Sequence, residues 1–218
     1  MKTHGLIIFL LCTATGICRG NDWQTGDLIF QEPDSTGGGG AIGRAIQGVT
    51  TSVADYHFTH VGMVYVDEQD SVYVIEATHP RVALTTLSEF LCRPGKHARC
   101  PKSVVFRLDE AFLHCIPQAV EVGLKLVGKE YDDAYTLNDD KYYCSELIYE
   151  MLLQANDNVP VFPLNVMTFK SSATGEFLPE WVEHYKRLGQ PIPEGKPGIN
   201  PGAMSRSEKL KIVSSFNH

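Results

Sequence analysis

The sequence predicts an α+β fold: an antiparallel sheet packed against helices, with a cysteine at the N-terminus of one of them. Three observations lead there. His57–Val66 (HFTHVGMVYV) alternates in polarity, gives way to the polar run Asp67–Asp70, and is followed by SVYVIEAT, Ser71–Thr78, which together make the pattern of a β-hairpin. In KYYCSELIYEMLL, Lys141–Leu153, the residues Leu147, Ile148, Met151 and Leu152 follow Cys144 at three, four, seven and eight positions, the spacing of one helix face. The 218 residues are 43% hydrophobic and 21% charged, which is enough apolar material for a core that needs no staples.

Residues 1–20 have the shape of a secretory signal peptide: Lys2 and His4 precede the apolar run Leu6–Cys12, and the small residues Thr13–Gly16 follow. Removal near Gly20 would start the mature chain at Asn21, leaving 21–218 as a single domain outside the cytoplasm, periplasmic or secreted. The apolar run is too short to span a bilayer, and no later segment is apolar enough, so the mature chain is expected to have no integral membrane segment. Cys18 is a poor lipoprotein cysteine because Ile17 stands where a small residue is needed.

Gly26–Phe30 (GDLIF) reads as a turn followed by a strand, and Gln31–Gly40 as a loop ending in the glycine run Gly37–Gly40. Ala41–Thr50 has helical spacing at Ile42, Ala45 and Ile46, with Gly48 as its stop. After the hairpin, Ser103–Leu108 is a further strand. Pro117–Val127 is a helix with Val120, Leu124 and Val127 on one face, Pro117 in its first turn and Gly128 as its stop. Glu130–Tyr135 is a polar loop, and Pro179–Leu188 a short amphipathic helix. Gln190–Ser207, rich in proline and glycine, is either an ordered loop on the surface or a flexible tail. A net charge of −7 with no Lys/Arg cluster longer than a pair excludes a nucleic-acid partner.

Six cysteines reduce to four beyond the leader: Cys92, Cys100, Cys115 and Cys144. Cys92 and Cys100 flank a turn-like insert and could pair locally in an oxidising compartment. A thiol left free there needs a reason. One is burial as a small hydrophobe, and another is catalysis; the alternative is that Cys115 and Cys144 pair and neither is free. At the start of a helix, unpaired N–H groups and the helix dipole favour a thiolate over a thiol and can receive an oxyanion. A thiolate nucleophile needs a histidine, and the histidine an orienting group. Of eight histidines, His60 is out of place: it sits on an apolar strand with Val61, Met63 and Val64. Glu76, between Ile75 and Ala77, is equally misplaced without a partner. A hairpin centred near Glu68 puts His60 and Glu76 across from each other, so that the acid would fix the imidazole tautomer. Cys92, His97, Cys100, His114 and Cys115 do not have the spacing of a zinc finger, and the chemistry needs neither metal nor cofactor.

GDLIF followed by HVGMVYV resembles the signature of NlpC-type papain-like hydrolases, which read Gly-Asp-Leu and then His-Val-Gly-Ile and carry Cys-Ser at a helix start, as at Cys144-Ser145. Their usual order puts the cysteine helix first. Here His60 and Glu76 precede it, and YYCSEL and VIEA are similar to motifs of the circularly permuted YiiX/YaeF-like branch. The resemblance covers Gly26 to Leu153, with weaker echoes to Ser207. It implies a circularly permuted papain-like fold with Cys144 as nucleophile, His60 as base and Glu76 as orienting residue. Tyr143 either lines the site and helps hold the oxyanion or merely packs beside the helix, and Asp27 organises the turn before its strand. The implied activity is that of a cysteine amidase or peptidase cleaving a peptide, amino-acyl or acyl-amide substrate through an acyl-enzyme. The alternatives are a lipid acyltransferase or thioesterase on the same triad, and a non-catalytic binding module. The usual cell-wall binding modules are missing, which argues against peptidoglycan.

Overall fold

The structure is a computed structural model that describes residues 23–33, 40–93, 100–137 and 139–216. The expected signal peptide, His97 and most of the glycine run lie outside them. Six strands form one antiparallel sheet: β1 (Leu28–Gln31), β2 (His60–Val66), β3 (Val72–Thr78), β4 (Arg81–Thr86), β5 (Ser103–Leu108) and β8 (Leu210–Phe216), in the order β4-β3-β2-β1-β5-β8. A small second sheet pairs β6 (Asn165–Val166) with β7 (Pro197–Gly198). The helices are α1 (Gly40–Val49), α2 (Leu87–Leu91), α3 (Ile116–Leu126), α4 (Cys144–Ala155), α5 (Pro179–Leu188) and α6 (Pro201–Ser205).

The pleat sorts the strand residues onto two faces. Leu28, Phe30, Val61, Met63, Ile75 and Ala77 join the main core, which also buries Leu147, Ile148, Met151 and Leu152 of α4 and Ala119 and Val120 of α3. Ile29, Val64, Val74 and Val105 form a smaller core with Phe90 of α2 on the other face. Gly62 makes that second packing possible, because a Cβ there would lie 2.4 Å from Val74 Cγ1 and 3.0 Å from Phe90 Cε2. Gln31 Nε2 ties α2 down by donating to Phe90 O at 3.0 Å.

The turn before β1 is built as the sequence suggests. Asp27 Oδ2 accepts from Gln24 N at 3.0 Å, and Arg107 clamps both carboxylate oxygens at 2.7 and 2.9 Å. Gly26 has φ +94°, and a Cβ there would fall 2.5 Å from Ile116 Cδ1.

The hairpin register differs from the expected one. Met63 pairs with Ile75 and Val66 with Val72, which centres the turn on Gln69 rather than Glu68. The cause is the side chain of Asp67, whose Oδ1 accepts from both Gln69 N and Ser71 N, while Asp67 N closes the turn onto Ser71 O. Extended by one pair, this register sets Gly62 rather than His60 opposite Glu76. The offset is two residues, so His60 and Glu76 stay on one face as diagonal neighbours.

Other boundaries moved as well. Helix α1 runs through Gly48 to Val49, with Gly48 packed under Leu178, where a Cβ would sit 3.0 Å from Leu178 Cδ1. Gln190–Ser207 is ordered. It forms β7 and α6, the latter capped by Asn200 Oδ1, which accepts from Ala203 N at 2.7 Å. Strands β4 and β8 and helix α2 carry no signal that the sequence reading used. Among the described residues no helix is long and apolar enough to cross a membrane.

Candidate active site

Cys144 is the first residue of α4, with Tyr143 as its N-cap. The apolar stripe of α4 packs on the sheet and drives the start of the helix against the end of β2, so that Cys144 Sγ lies 3.9 Å from the carbonyl oxygen of Thr59. The next residue, His60, opens β2, and its half-buried ring lies beside Cys144 and hydrogen-bonds Glu76. His60 Nε2 is 2.7 Å from Glu76 Oε2. That leaves Nδ1 as the ring nitrogen for the sulfur. Glu76 is fully buried, and its carboxylate is pinned by two further donors, Arg93 Nη2 to Oε2 at 2.5 Å and Thr85 Oγ1 to Oε1 at 2.6 Å. Phe90 stacks on the imidazole with centroids 5.6 Å apart. The structure therefore brings Cys144, His60 and Glu76 into one chain of contacts, which is completed by Arg93.

The electrostatics follow from that chain. Burial works against a charged His60, but hydrogen bonds to Cys144 and Glu76, with the attraction of both, carry its pKa up to about 9. Burial likewise opposes a charged Glu76, but hydrogen bonds and attraction from His60 and Arg93 bring it down to about 2. Near neutral pH the imidazole is thus a proton donor beside the sulfur, backed by an ionised carboxylate. In the first turn of α4, Glu146 Oε2 accepts from Tyr143 N at 3.3 Å. Burial pushes the Glu146 carboxyl up to about 9, so it is neutral there and places no negative charge beside Cys144.

Tyr143 is buried, and its hydroxyl accepts from Ile199 N at 3.2 Å, which fastens the Gln190–Ser207 segment over the helix start. Its side chain lines a cleft of about 520 Å³, open mouth included, that also reaches Cys144 and Thr59. Tyr135 and Trp181 form another wall. Tyr135 adopts φ +52°, a conformation imposed by Asp132, whose carboxylate accepts from Ala134 N at 2.7 Å and Thr136 N at 2.6 Å. Helix α5 locks this turn, with Tyr185 Oη donating to Ala134 O at 2.8 Å.

A sequence model described as "Permuted papain-like amidase enzyme, YaeF/YiiX, C92 family" matches residues 22–214. The chain belongs to this family. It is 28% identical to the uncharacterized protein YiiX of Escherichia coli (strain K12), over 98% of this chain and 96% of that protein. A crystal structure of metalloprotein YiiX from Escherichia coli O157:H7 superposes with a TM-score of 0.68 at 26% identity, covering 88% of this chain and 97% of that one. The fold is therefore the permuted papain-like one, with the histidine and acid strands ahead of the cysteine helix, and the chain is a hydrolase of the permuted papain-like amidase family. Among the described residues the donor set does not fit a metal. Cys92 and Cys100 are consumed by a disulfide, Glu76 is held by Arg93, and among the described residues no group of three His, Cys, Asp or Glu side chains is placed to hold an ion.

Sequence reasoning missed Arg93, Thr85, Tyr135 and Trp181. Arg93 adjoins Cys92, in the insert already marked by its two cysteines, and that adjacency is the one signal that could have drawn attention to it. Tyr131 and Tyr135 were hidden in a loop read as polar, although two tyrosines in six residues is a pattern that favours packing.

Proposed function

We propose that this protein is a cysteine amidase that hydrolyses an amide bond through Cys144, His60 and Glu76. The observation that carries the reading is the His60 ring, which sits beside Cys144 at the head of α4 and is hydrogen-bonded to a buried, ionised Glu76. The Cys144 thiolate adds to the carbonyl carbon. The oxyanion that forms is met by backbone N–H groups at the start of α4, whose first residues have no intrahelical acceptor. His60 gives its proton to the leaving nitrogen, the C–N bond breaks and the amine departs, leaving a thioester. His60 then takes a proton from water as the water oxygen attacks, the C–S bond breaks, and the acid leaves with Cys144 restored. Glu76 holds the ring in one tautomer and balances its charge, while Tyr143 shapes the cleft beside the sulfur. Hydrolysis and acyl transfer share every step up to the thioester, and the second acceptor separates them.

We also propose an extracytoplasmic location, periplasmic or secreted, after removal of residues 1–20. The Cys92–Cys100 disulfide supports an oxidising compartment.

Alkylation by iodoacetamide near pH 6.5 tests the site. Cys144 should react at least about tenfold faster than Cys115, whose thiol pKa burial raises, and His60→Ala should remove the difference. A Cys144 no faster than Cys115, or unaffected by loss of His60, would leave a binding module. Trapping of the thioester by hydroxylamine against water then measures transfer against hydrolysis.

A further inference from the structure

We infer that the part of the substrate seated beside Cys144 is uncharged and apolar and carries a second amide of its own, as in an N-acylated hydrophobic aminoacyl unit. This rests on the amidase reading and adds the substrate class.

Two properties of the cleft lead there. First, no residue lining it is charged, and most of the wall is aliphatic or aromatic, with Ile46, Val49, Val166, Met167, Phe169 and Ile199 contributing. An ammonium or carboxylate drawn into it would lose water and find no counter-charge among the described lining residues. Free amino-acid termini and multiply charged cell-wall peptides are poor occupants for that reason.

Second, the polar atoms of the wall fall into two sets. Several are satisfied within the protein. Ser145 Oγ donates to Ile199 O at 3.1 Å, Thr168 Oγ1 donates to Glu194 Oε1 at 3.0 Å, and Tyr143 Oη accepts from Ile199 N at 3.2 Å. Three are not. Thr50 Oγ1, Asn165 Oδ1 and Trp181 Nε1 are the only buried side-chain nitrogen or oxygen atoms among the described residues without a hydrogen-bond partner. All three belong to residues that line this one cleft.

Their chemistry is specific. The indole N–H of Trp181 only donates. The carboxamide nitrogen of Asn165 is taken up by Val166 O at 3.2 Å and Met167 Sδ at 3.6 Å, so its oxygen only accepts. The Thr50 hydroxyl serves either way. One donor and one acceptor are the complement of a secondary amide. The scissile carbonyl and leaving nitrogen are already served by the start of α4 and by His60, so the pair is left for another polar group. A plain alkyl chain would fill the cleft and leave the three atoms as unpaired as they already are, whereas an amide that pairs them gains on the order of tenfold or more in affinity for each one matched. Trp181 is also preorganised: it is 2% exposed and held edge-on by Phe169 and Tyr135 at centroid distances of 5.0 and 5.4 Å.

The test is calorimetric titration of the full mature chain carrying Cys144→Ala with three leucine-shaped amides: N-acetyl-leucinamide, leucinamide as the cation, and 4-methylpentanamide, which lacks the second amide. N-acetyl-leucinamide should bind at least about tenfold more tightly than either of the others. Trp181→Phe should pull its ratio to 4-methylpentanamide toward one, and Thr50→Val, a smaller change that leaves the aromatic cluster untouched, should reduce the same ratio. Equal or tighter binding of 4-methylpentanamide would mean an alkyl chain is the natural occupant and overturn the inference. Tightest binding of leucinamide, or no binding of any of the three, would overturn it too. So would a preference that survives both substitutions, which would mean that neither Trp181 nor Thr50 reads the second amide. Turnover is read separately with wild-type protein and N-acetyl-leucine p-nitroanilide: tight binding of N-acetyl-leucinamide without hydrolysis of the anilide would sink the amidase reading and leave the recognition of the acylated residue standing.

Discussion

His60 and Arg93 meet on one oxygen of Glu76: Oε2 lies 2.7 Å from His60 Nε2 and 2.5 Å from Arg93 Nη2. A carboxylate with no exposed surface would not stay ionised alone. Arg93 supplies the counter-charge and Thr85 occupies the second oxygen, so His60 faces a fixed anion rather than a movable acid. From the imidazole outward the charges then alternate across His60, Glu76 and Arg93, each partly neutralising the next.

Loss of the Glu76 charge should show in the pH profile. His60 holds its proton up to about pH 9, partly through Glu76. With Glu76→Gln the imidazole loses that attraction, so the alkaline limb of kcat/KM should move down toward the ordinary histidine value near 6.5, with activity near pH 8 reduced about tenfold to a hundredfold. An unchanged alkaline limb would mean that another group sets it.

Arg93 should be visible in acid stability. The Glu76 pKa is about 2 in the fold against 4.5 unfolded, so its contribution is present above about pH 4.5 and is lost as pH falls through about 2. Removing the guanidinium raises the folded pKa. In Arg93→Gln the acid unfolding midpoint should move to higher pH, and stability at pH 6, where Glu76 is fully ionised, should fall as well, as followed by tryptophan fluorescence. His60 contributes with the opposite sign. Its raised pKa stabilises fully below 6.5, and that contribution is lost as pH rises through about 9, so His60→Ala should flatten the alkaline decline.

The Cys92–Cys100 disulfide closes a sequence separation of eight residues with Arg93 inside the loop, next to Cys92. Loop-closure entropy puts the loss on its removal at about 2–3 kcal/mol. A Cys92→Ser, Cys100→Ser double variant should also reproduce part of the acid shift of Arg93→Gln, because Arg93 would lose the anchor that aims it at Glu76. A purely thermal effect, with the acid midpoint unmoved, would show that Arg93 is positioned by α2 alone.

Much of this site was legible because its residues violate their surroundings. A histidine and a glutamate on apolar strands and a cysteine at the head of an apolar helix face each call for a partner, and the three needs complement one another. The hairpin register was misjudged by two residues, since nothing within a polar run tells how Asp67 will cap the turn. The pairing survived because an even offset keeps side chains on one face. Arg93 and Thr85 were beyond reach for different reasons. An arginine in a short loop can turn to any nearby acid, and Thr85 belongs to β4, whose exposed alternate positions carry a weak apolar pattern. Strand β8 is an edge strand with few buried residues, so its periodicity is nearly silent. The strained turn at Tyr135 and the seat of Trp181 depend on contacts with α5 that no local pattern encodes.

Glu146 makes a claim about charge rather than contact. Its carboxyl is buried in the first turn of α4, where a negative charge would ordinarily favour the helix dipole, yet burial pushes it up to about 9. Since 4.5 is the unfolded value, its contribution to stability is complete below about pH 4.5 and is lost steadily as pH rises through about 9. Glutamine keeps the shape and can still accept from Tyr143 N, but it never ionises. Glu146→Gln should therefore match wild type in thermal stability near pH 5 and exceed it increasingly up to pH 9. At pH 7 its rate of Cys144 alkylation should be unchanged, because the group it replaces is already neutral there. A faster-reacting Cys144 in the variant at pH 7 would show instead that Glu146 is ionised and opposes the thiolate.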